Sequence, residues 1–413
     1  MKNAPLRPTL RNLTLVLNLF AVLALIVGFA QSAGAQTETV LYSFCAQSGC
    51  ADGAVPDSGL ITDSAGNLYG VTVYGGTGNG GDGVAFKLTP TGDESVLHSF
   101  TAGPQNGYEP IGPLTLDKQG NLYGTTYRGG DHSYHVPRGD GTAFKLSPDG
   151  TETILYNFGA TSTDGIEPVS GMVMVANGDF YGTTYIGGVY SWGTIFRLTP
   201  EGVETVLHDF ANDSTDGGNP WASLIMDNKG NLYGTTRSGG TGSLNGGGTV
   251  FEVTAEGSYS ILHNFAGYPS DGSFATGSLT LDSQGNLYGA TYYGGAYGKG
   301  TVFKLAPGAN GSWKETVLYN FTKQTDSCWW PFSNVVFDAK GNLYGTTFYG
   351  GTWGQGCVYE INPAGELTVL HAFGKGSDGA QPYGNIVLSQ GNLYGTTDAG
   401  GAYAAGTVFK ITF

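Results

Sequence analysis

Beyond residue 30 the chain has no long apolar run, which excludes a membrane-spanning helix from that stretch. The single such run, Leu13 to Ala30, follows Lys2, Arg7 and Arg11 and leads to Ala33-Gly34-Ala35, a small-x-small site. Residues 1–35 are therefore expected to be a signal peptide cleaved before Gln36, with no Cys there to carry a lipid. Basic residues are scarce, 18 against 33 acidic ones, and losing the leader moves the formal charge from −15 to −18. With its cations scattered singly the chain lacks the basic stripe that a phosphate backbone needs, and it is repelled by anionic lipid, so neither nucleic acid nor membrane is an expected partner. Cysteines number four, without CxxC spacing or a His cluster beside them, which argues against structural zinc. In an exported chain they point to disulfides. Four cysteines allow three connectivities, of which Cys45 with Cys50 and Cys328 with Cys357 is the expected one. Helical periodicity is missing after the leader. So are a sialidase-type Asp box, a nucleophile elbow and a Ser-His-Asp spacing, and no catalytic residue is assigned. Glycine strings such as Gly76–Gly83 lie between strands, with no helix to receive phosphate, and no cofactor is expected.

What the sequence does hold is a repeat. An apolar strand, a Gly turn, Leu-Tyr-Gly-Thr-Thr, a Gly-Gly loop, Gly-Thr-Val-Phe-Lys-Leu and Thr-Val-Leu-His-x-Phe recur with their tyrosine at 69, 123, 181, 233, 288, 344 and 394. Each unit reads as four short antiparallel strands rich in Val, Thr, Tyr and Phe. Apolar residues on both faces of the third strand suit a sheet covered by neighbours on both sides, and a four-stranded unit of this length points to a propeller blade. Runs of five or six residues are too short for a membrane barrel strand, which needs about 9–11. Residues 38–44 look like a fourth strand without its first three, and residues 406–411 like a third strand without its fourth. The expected fold is an all-β, seven-bladed propeller, closed where the N-terminal strand completes the C-terminal blade. Its single domain, 36–413, divides into blades 58–100, 111–158, 169–210, 222–265, 276–321, 332–373 and 383–413 plus 37–44.

The string Gly-Asn-Leu-Tyr-Gly-Thr-Thr, then Gly-Gly, then Gly-Thr-Val-Phe-Lys-Leu, resembles the Gloeobacter/Verrucomicrobia (GloVer) tandem repeat of exported bacterial proteins. More distantly it is similar to kelch-like and sensor-type propeller repeats, although the kelch Trp is missing. The resemblance covers residues 37–413 and implies a secreted repeat protein with no established activity. Copy three departs from the pattern at Ala176–Phe180, and copy seven shortens the turn at Ser389-Gln390-Gly391.

In a blade, the 2–3 loop and the 4–1 connection emerge on one face. Those loops vary in length and chemistry, and variable loops on a fixed scaffold carry binding. Tyr127, Tyr134, Tyr185, Tyr190, Trp192, Tyr297, Trp353 and Tyr403 lie in the 2–3 loops, and such rings suit sugars or extended polymers. A binding scaffold for glycan, cell-surface polymer or an exported protein is the first expectation, acting as a monomer that is secreted, periplasmic or at the cell surface. The alternatives are a carbohydrate-active hydrolase or lyase on the same face, with Glu109 and Glu167 as a carboxylate pair, and a purely structural surface protein. His132 and His135, with Asp131 and Asp140, form the one candidate metal set. The recurring Asp of Asp-Gly-x-x-Pro (Asp52, Asp164, Asp216, Asp378) and the histidines alternating with tyrosine at one strand position (His98, His208, His263, His371) are expected to be structural.

Overall fold

Short strands bounded by Gly, Asn and Asp build seven antiparallel four-stranded sheets. The structure is a computed structural model and describes residues 36–413 except 79, 104–105, 133–138, 243–246 and 325–326; the expected signal peptide lies outside the described residues. Sheet one is Ile61–Thr62, Leu68–Thr72, Val84–Leu88 and Glu94–Ser99, paired in that order. In the seventh sheet Thr37–Ser43 pairs antiparallel with Thr407–Thr412, which pairs with Asn392–Thr397 and then Val387–Ser389. The N-terminal strand thus completes the last blade. The fold is a seven-bladed β-propeller closed as expected, and closure removes the free edge.

The repeat motif is a packing device. Its second-strand glycine faces the ring of the third-strand aromatic: a Cβ on Gly124 would lie 2.6 Å from Phe144, and one on Gly70 2.7 Å from Phe86. The Phe that ends each fourth strand meets the third-strand ring of the next blade edge-on, as in Phe44–Phe86 (5.0 Å), Phe158–Phe196 (5.1 Å) and Phe373–Phe409 (5.0 Å). Every hydrophobic cluster therefore straddles two blades, and the one joining the last blade to the first contains Phe44, Phe86, Tyr394 and Val408. In blade six the third-strand ring is Tyr359, fully buried, with a hydroxyl that has no hydrogen-bond partner. An unmet buried hydroxyl costs about 1–3 kcal/mol. Tyr359→Phe is expected to stabilise the protein by about 1 kcal/mol in urea denaturation, and unchanged or reduced stability would contradict that packing.

On the lower face, tight turns explain the Asp-x-x-Gly-Asn-x-Tyr string. Asp63 Oδ1 accepts from the Ala65 and Asn67 amides, and Oδ2 accepts from Asn67 Nδ2 and the Tyr69 hydroxyl. Asp117, Asp227, Asp282 and Asp338 repeat the arrangement, and these bonds hold their carboxyls below the usual range despite partial burial. On the upper face, each 4–1 connection pairs with the 2–3 loop of its own blade, as Gly107–Tyr108 does with Arg128–Gly129. Both expected disulfides are present, Cys45–Cys50 and Cys328–Cys357. The second joins the 4–1 connection of blade six to its third strand, at positions where five other blades set Gly against Thr and blade one sets Gly53 against Val84.

Candidate functional site

The upper face carries a sevenfold frame whose side chains differ. Before the proline that six of the seven copies carry (Ala275 in the remaining one) stand Val55, Glu109, Glu167, Asn219, Phe274, Trp330 and Gln381, all left-handed with φ between 54° and 62°. Non-glycine residues adopt that conformation at a cost. It is held because each N–H donates to a 2–3 loop carbonyl of the preceding blade: Glu109 to Asp82 (2.9 Å), Asn219 to Trp192 (2.7 Å), Trp330 to Lys299 (3.0 Å). The residues after the proline position then ring the axis as Asp57, Ile111, Val169, Trp221, Thr276, Phe332 and Tyr383. One backbone geometry presents seven different side chains, and here the symmetry of the repeat is broken.

The result is a cup at the mouth of an apolar channel of about 520 Å³ lined by Leu60, Met172, Leu224, Phe337 and Leu388. One side of the cup is an aromatic arc. Tyr185 meets Trp221 edge-on at 5.1 Å, Trp221 meets Phe332 at 6.4 Å, Phe332 stacks on Tyr383 at 4.1 Å, and Tyr292 reaches Phe332 at 5.7 Å. Arg237 lies over Trp221 and Phe274, 5.9 and 5.6 Å from the ring centres. The remaining wall is acidic. Asp57 and Asp398 hydrogen-bond to each other; burial, then the facing Asp398, raises the Asp57 carboxyl well above the usual range, and burial raises Asp398 as well. Further round, Glu167 is buried against Arg128 and accepts from the Tyr127 hydroxyl at 3.1 Å, while burial and then Glu167 push Tyr127 up to about 12. Glu167 is thereby committed to an ion pair.

The aromatic residues expected from sequence fall into two groups. Tyr127 and Tyr185 stand at the cup. Tyr190, Trp192, Tyr297, Trp353 and Tyr403 stand at loop tips on the outer rim, 41–59 % exposed, where the loop backbone is tied to the outermost strand by Val189 N to Asp209 (2.8 Å) and Ala296 N to Asn320 (2.8 Å). Tyr134 and His135 lie outside the described residues. Of the expected metal set, Asp131 is exposed, Asp140 is buried and donates its amide to the His132 carbonyl, and the three described members do not converge on one point. Sequence reasoning missed Trp221, Arg237, Phe332 and Tyr383.

The recurring Asp and the His/Tyr position meet at the outer rim. Asp52 accepts from the Ala46 and Gln47 amides and from the Tyr42 hydroxyl (2.7 Å); Asp378 accepts from the Gly374 and Gly379 amides and lies 2.9 Å from His371 Nε2. His and Tyr interchange because both donate to this carboxylate. In blade six the position is Ser327, which donates to the Thr322 carbonyl. A residue from the next blade's outer strand closes the group: at Asp216 it is Tyr259, which donates to Oδ1 (2.8 Å), and at the other aspartates a glutamate, so that the ligand atoms of Glu38, His371 and Asp378, and of His263, Asp271 and Glu315, lie within 4.8 Å of one another. Such sets could hold a cation, but the tyrosine-bearing copies show that a hydrogen-bond donor suffices.

These clasps predict a pH dependence. Burial, then the facing Asp52, Asp164 or Asp271, pushes Glu94, Glu204 and Glu315 up to about 7, from 4.5 in an open chain. The folded protein keeps protons that the unfolded chain releases, so this stabilisation is complete below about pH 4.5 and is lost as pH rises through 7. The urea midpoint is expected to fall between pH 5 and pH 8. Glu94→Gln with Glu204→Gln should flatten that fall; a midpoint that rises over this range would contradict the assignment.

The Gloeobacter/Verrucomicrobia repeat model matches residues 27–165, 132–328 and 314–413. No curated protein matches. Among solved structures, the extracellular domain assigned to a hybrid two component system of B. thetaiotaomicron is 13 % identical with a TM-score of 0.55, over 92 % of this chain and 41 % of that one. A protein of Bacteroides uniformis assigned as a 6-phosphogluconolactonase is 16 % identical (TM-score 0.48, 76 % of this chain and 84 % of that one). A gluconolactonase of Xanthomonas campestris is also 16 % identical (TM-score 0.41, 71 % and 82 %). At 13 % identity the likeness to the extracellular domain concerns the fold alone. The motif recurring seven times around a closed ring, and matched by the repeat model over nearly the whole length, makes the chain a member of the Gloeobacter/Verrucomicrobia repeat family.

Proposed function

We propose that the protein is an exported binding module whose upper face takes a glycan or other cell-surface polymer. One observation carries this reading: a half-buried arc of rings, Tyr185, Trp221, Phe332 and Tyr383, lies at the channel mouth on a frame that otherwise repeats. Flat rings present large apolar area at low entropic cost, and the C–H faces of a sugar pack on them. Exposed Tyr297, Trp353 and Tyr403 occupy equivalent tips of three successive blades and would extend contact along a polymer. Two disulfides suit an oxidising compartment, and no helix among the described residues is long and apolar enough to cross a membrane. A glycan array probed with the purified protein tests the proposal. Binding should appear and weaken several-fold in Trp353→Ala, whereas an array without hits would count against a glycan ligand.

A further inference from the structure

The described arginines are three, in a chain with 33 acidic residues. Arg128 is paired with Glu167, and Arg197 with Asp179 at 2.6 Å. Arg237 forms no ion pair with a carboxylate among the described residues; its guanidinium lies over the faces of Trp221 and Phe274, near the Tyr292 and Tyr383 hydroxyls. A half-buried cation without a counter-ion costs free energy in a low-dielectric site, and the cost is recovered when an anion arrives. The guanidinium is also a planar fork that suits oxyanions, and its two flanking rings restrict its orientation. From Phe274 the aromatic path continues to Tyr293 (5.5 Å) and Trp330 (5.7 Å), and there Lys299 lies 5.1 Å over the Trp330 ring. A second cation thus stands further out along one track. On the facing wall, burial raises both carboxyls of the hydrogen-bonded Asp57–Asp398 pair, which disfavours their charged forms.

We infer that the cup binds an acidic saccharide, with a sugar ring on Trp221 and its anionic substituent, a carboxylate or a sulfate ester, on Arg237. Lys299 receives a further anionic group of the same chain. This inference rests on the glycan-binding reading and adds the class of sugar. It is specific to blade four, because the positions equivalent to Arg237 in other blades are Val73, Tyr127, Tyr185, Tyr292, Phe348 and Asp398.

Calorimetry with three galactose-based oligosaccharides of equal length, one neutral, one oxidised to galacturonate and one sulfated, tests it. One or both acidic oligosaccharides should bind about tenfold or more tighter than the neutral one, and which of the two does so identifies the anionic group. Arg237→Gln should abolish that preference, Arg237→Lys should keep part of it, and Lys299→Gln should reduce it by a smaller factor. An unchanged thermal midpoint in Arg237→Gln confirms that the variant is folded. Equal affinity for neutral and acidic forms, or a preference that survives Arg237→Gln, overturns the inference while the glycan reading stands. Absence of binding by all three, with an empty array, overturns both.

Discussion

Replacing Phe44 by Ala is expected to cost about 3–5 kcal/mol in urea denaturation, the cost of truncating a fully buried aromatic side chain. Phe44 is fully enclosed, meets Phe86 edge-on at 5.0 Å, and belongs to the cluster that joins the last blade to the first. Six other phenylalanines occupy the same position in their blades, so the loss of packing alone is similar at Phe210, which meets Phe251 at 5.4 Å. The difference is connectivity. Phe210 lies within a continuous chain, whereas Phe44 ends a strand that only non-covalent pairing with Thr407–Thr412 holds in its blade. Phe44→Ala should therefore also release residues 37–43 to hydrogen exchange far faster than the rest of the sheet, while Phe210→Ala should not expose a terminal strand selectively. Equal exchange of the N-terminal strand in both variants would mean that closure contributes little to holding the ring.

The second large effect concerns the cup. Trp221→Ala is expected to lower affinity for a bound saccharide by more than tenfold, since truncation of an aromatic at the centre of a binding surface costs about 2 kcal/mol or more. Trp221 contacts Tyr185 and Phe332 and carries the Arg237 guanidinium, so its loss removes a stacking face and unseats the cation together. Trp353, alone at a half-exposed loop tip, should matter several-fold less. The ratio of the two effects separates a ligand seated at the axis from one lying along the rim. Neither substitution touches the inter-blade Phe pairs, so stability should change little in Trp353→Ala.

Much of the architecture could be read from spacing. Seven tyrosines at near-regular intervals, and a terminal strand without partners, were enough to place the ring closure that Val40–Phe409 pairing displays. The His/Tyr alternation was legible as structural, but its cause was not. Donation to Asp52, Asp216 or Asp378 depends on a loop folding back over several residues, and the residue that completes each clasp, Glu94, Tyr259 or Glu38, comes from the next blade. The site was less legible. Loop tyrosines and tryptophans stand out as exposed aromatic residues, and Tyr190, Tyr297 and Trp353 are indeed exposed. Trp221, Phe332 and Tyr383 each follow a proline and sit among apolar neighbours, where a ring reads as core. The available signal was variation: Asp, Ile, Val, Trp, Thr, Phe and Tyr occupy one position of a repeat whose neighbours barely change. The Asp57–Asp398 pair joins opposite ends of the chain and only closure brings it together.

The central claim is that ligand sits on the upper face at the axis. Hydrogen exchange of the protein with and without a saturating array-selected oligosaccharide addresses it directly. Protection should concentrate at residues 219–221, 237, 330–332 and 383, with the lower-face turns around Asp63, Asp227 and Asp338 unchanged. Protection confined to those turns, or none on the upper face despite saturation, would contradict it.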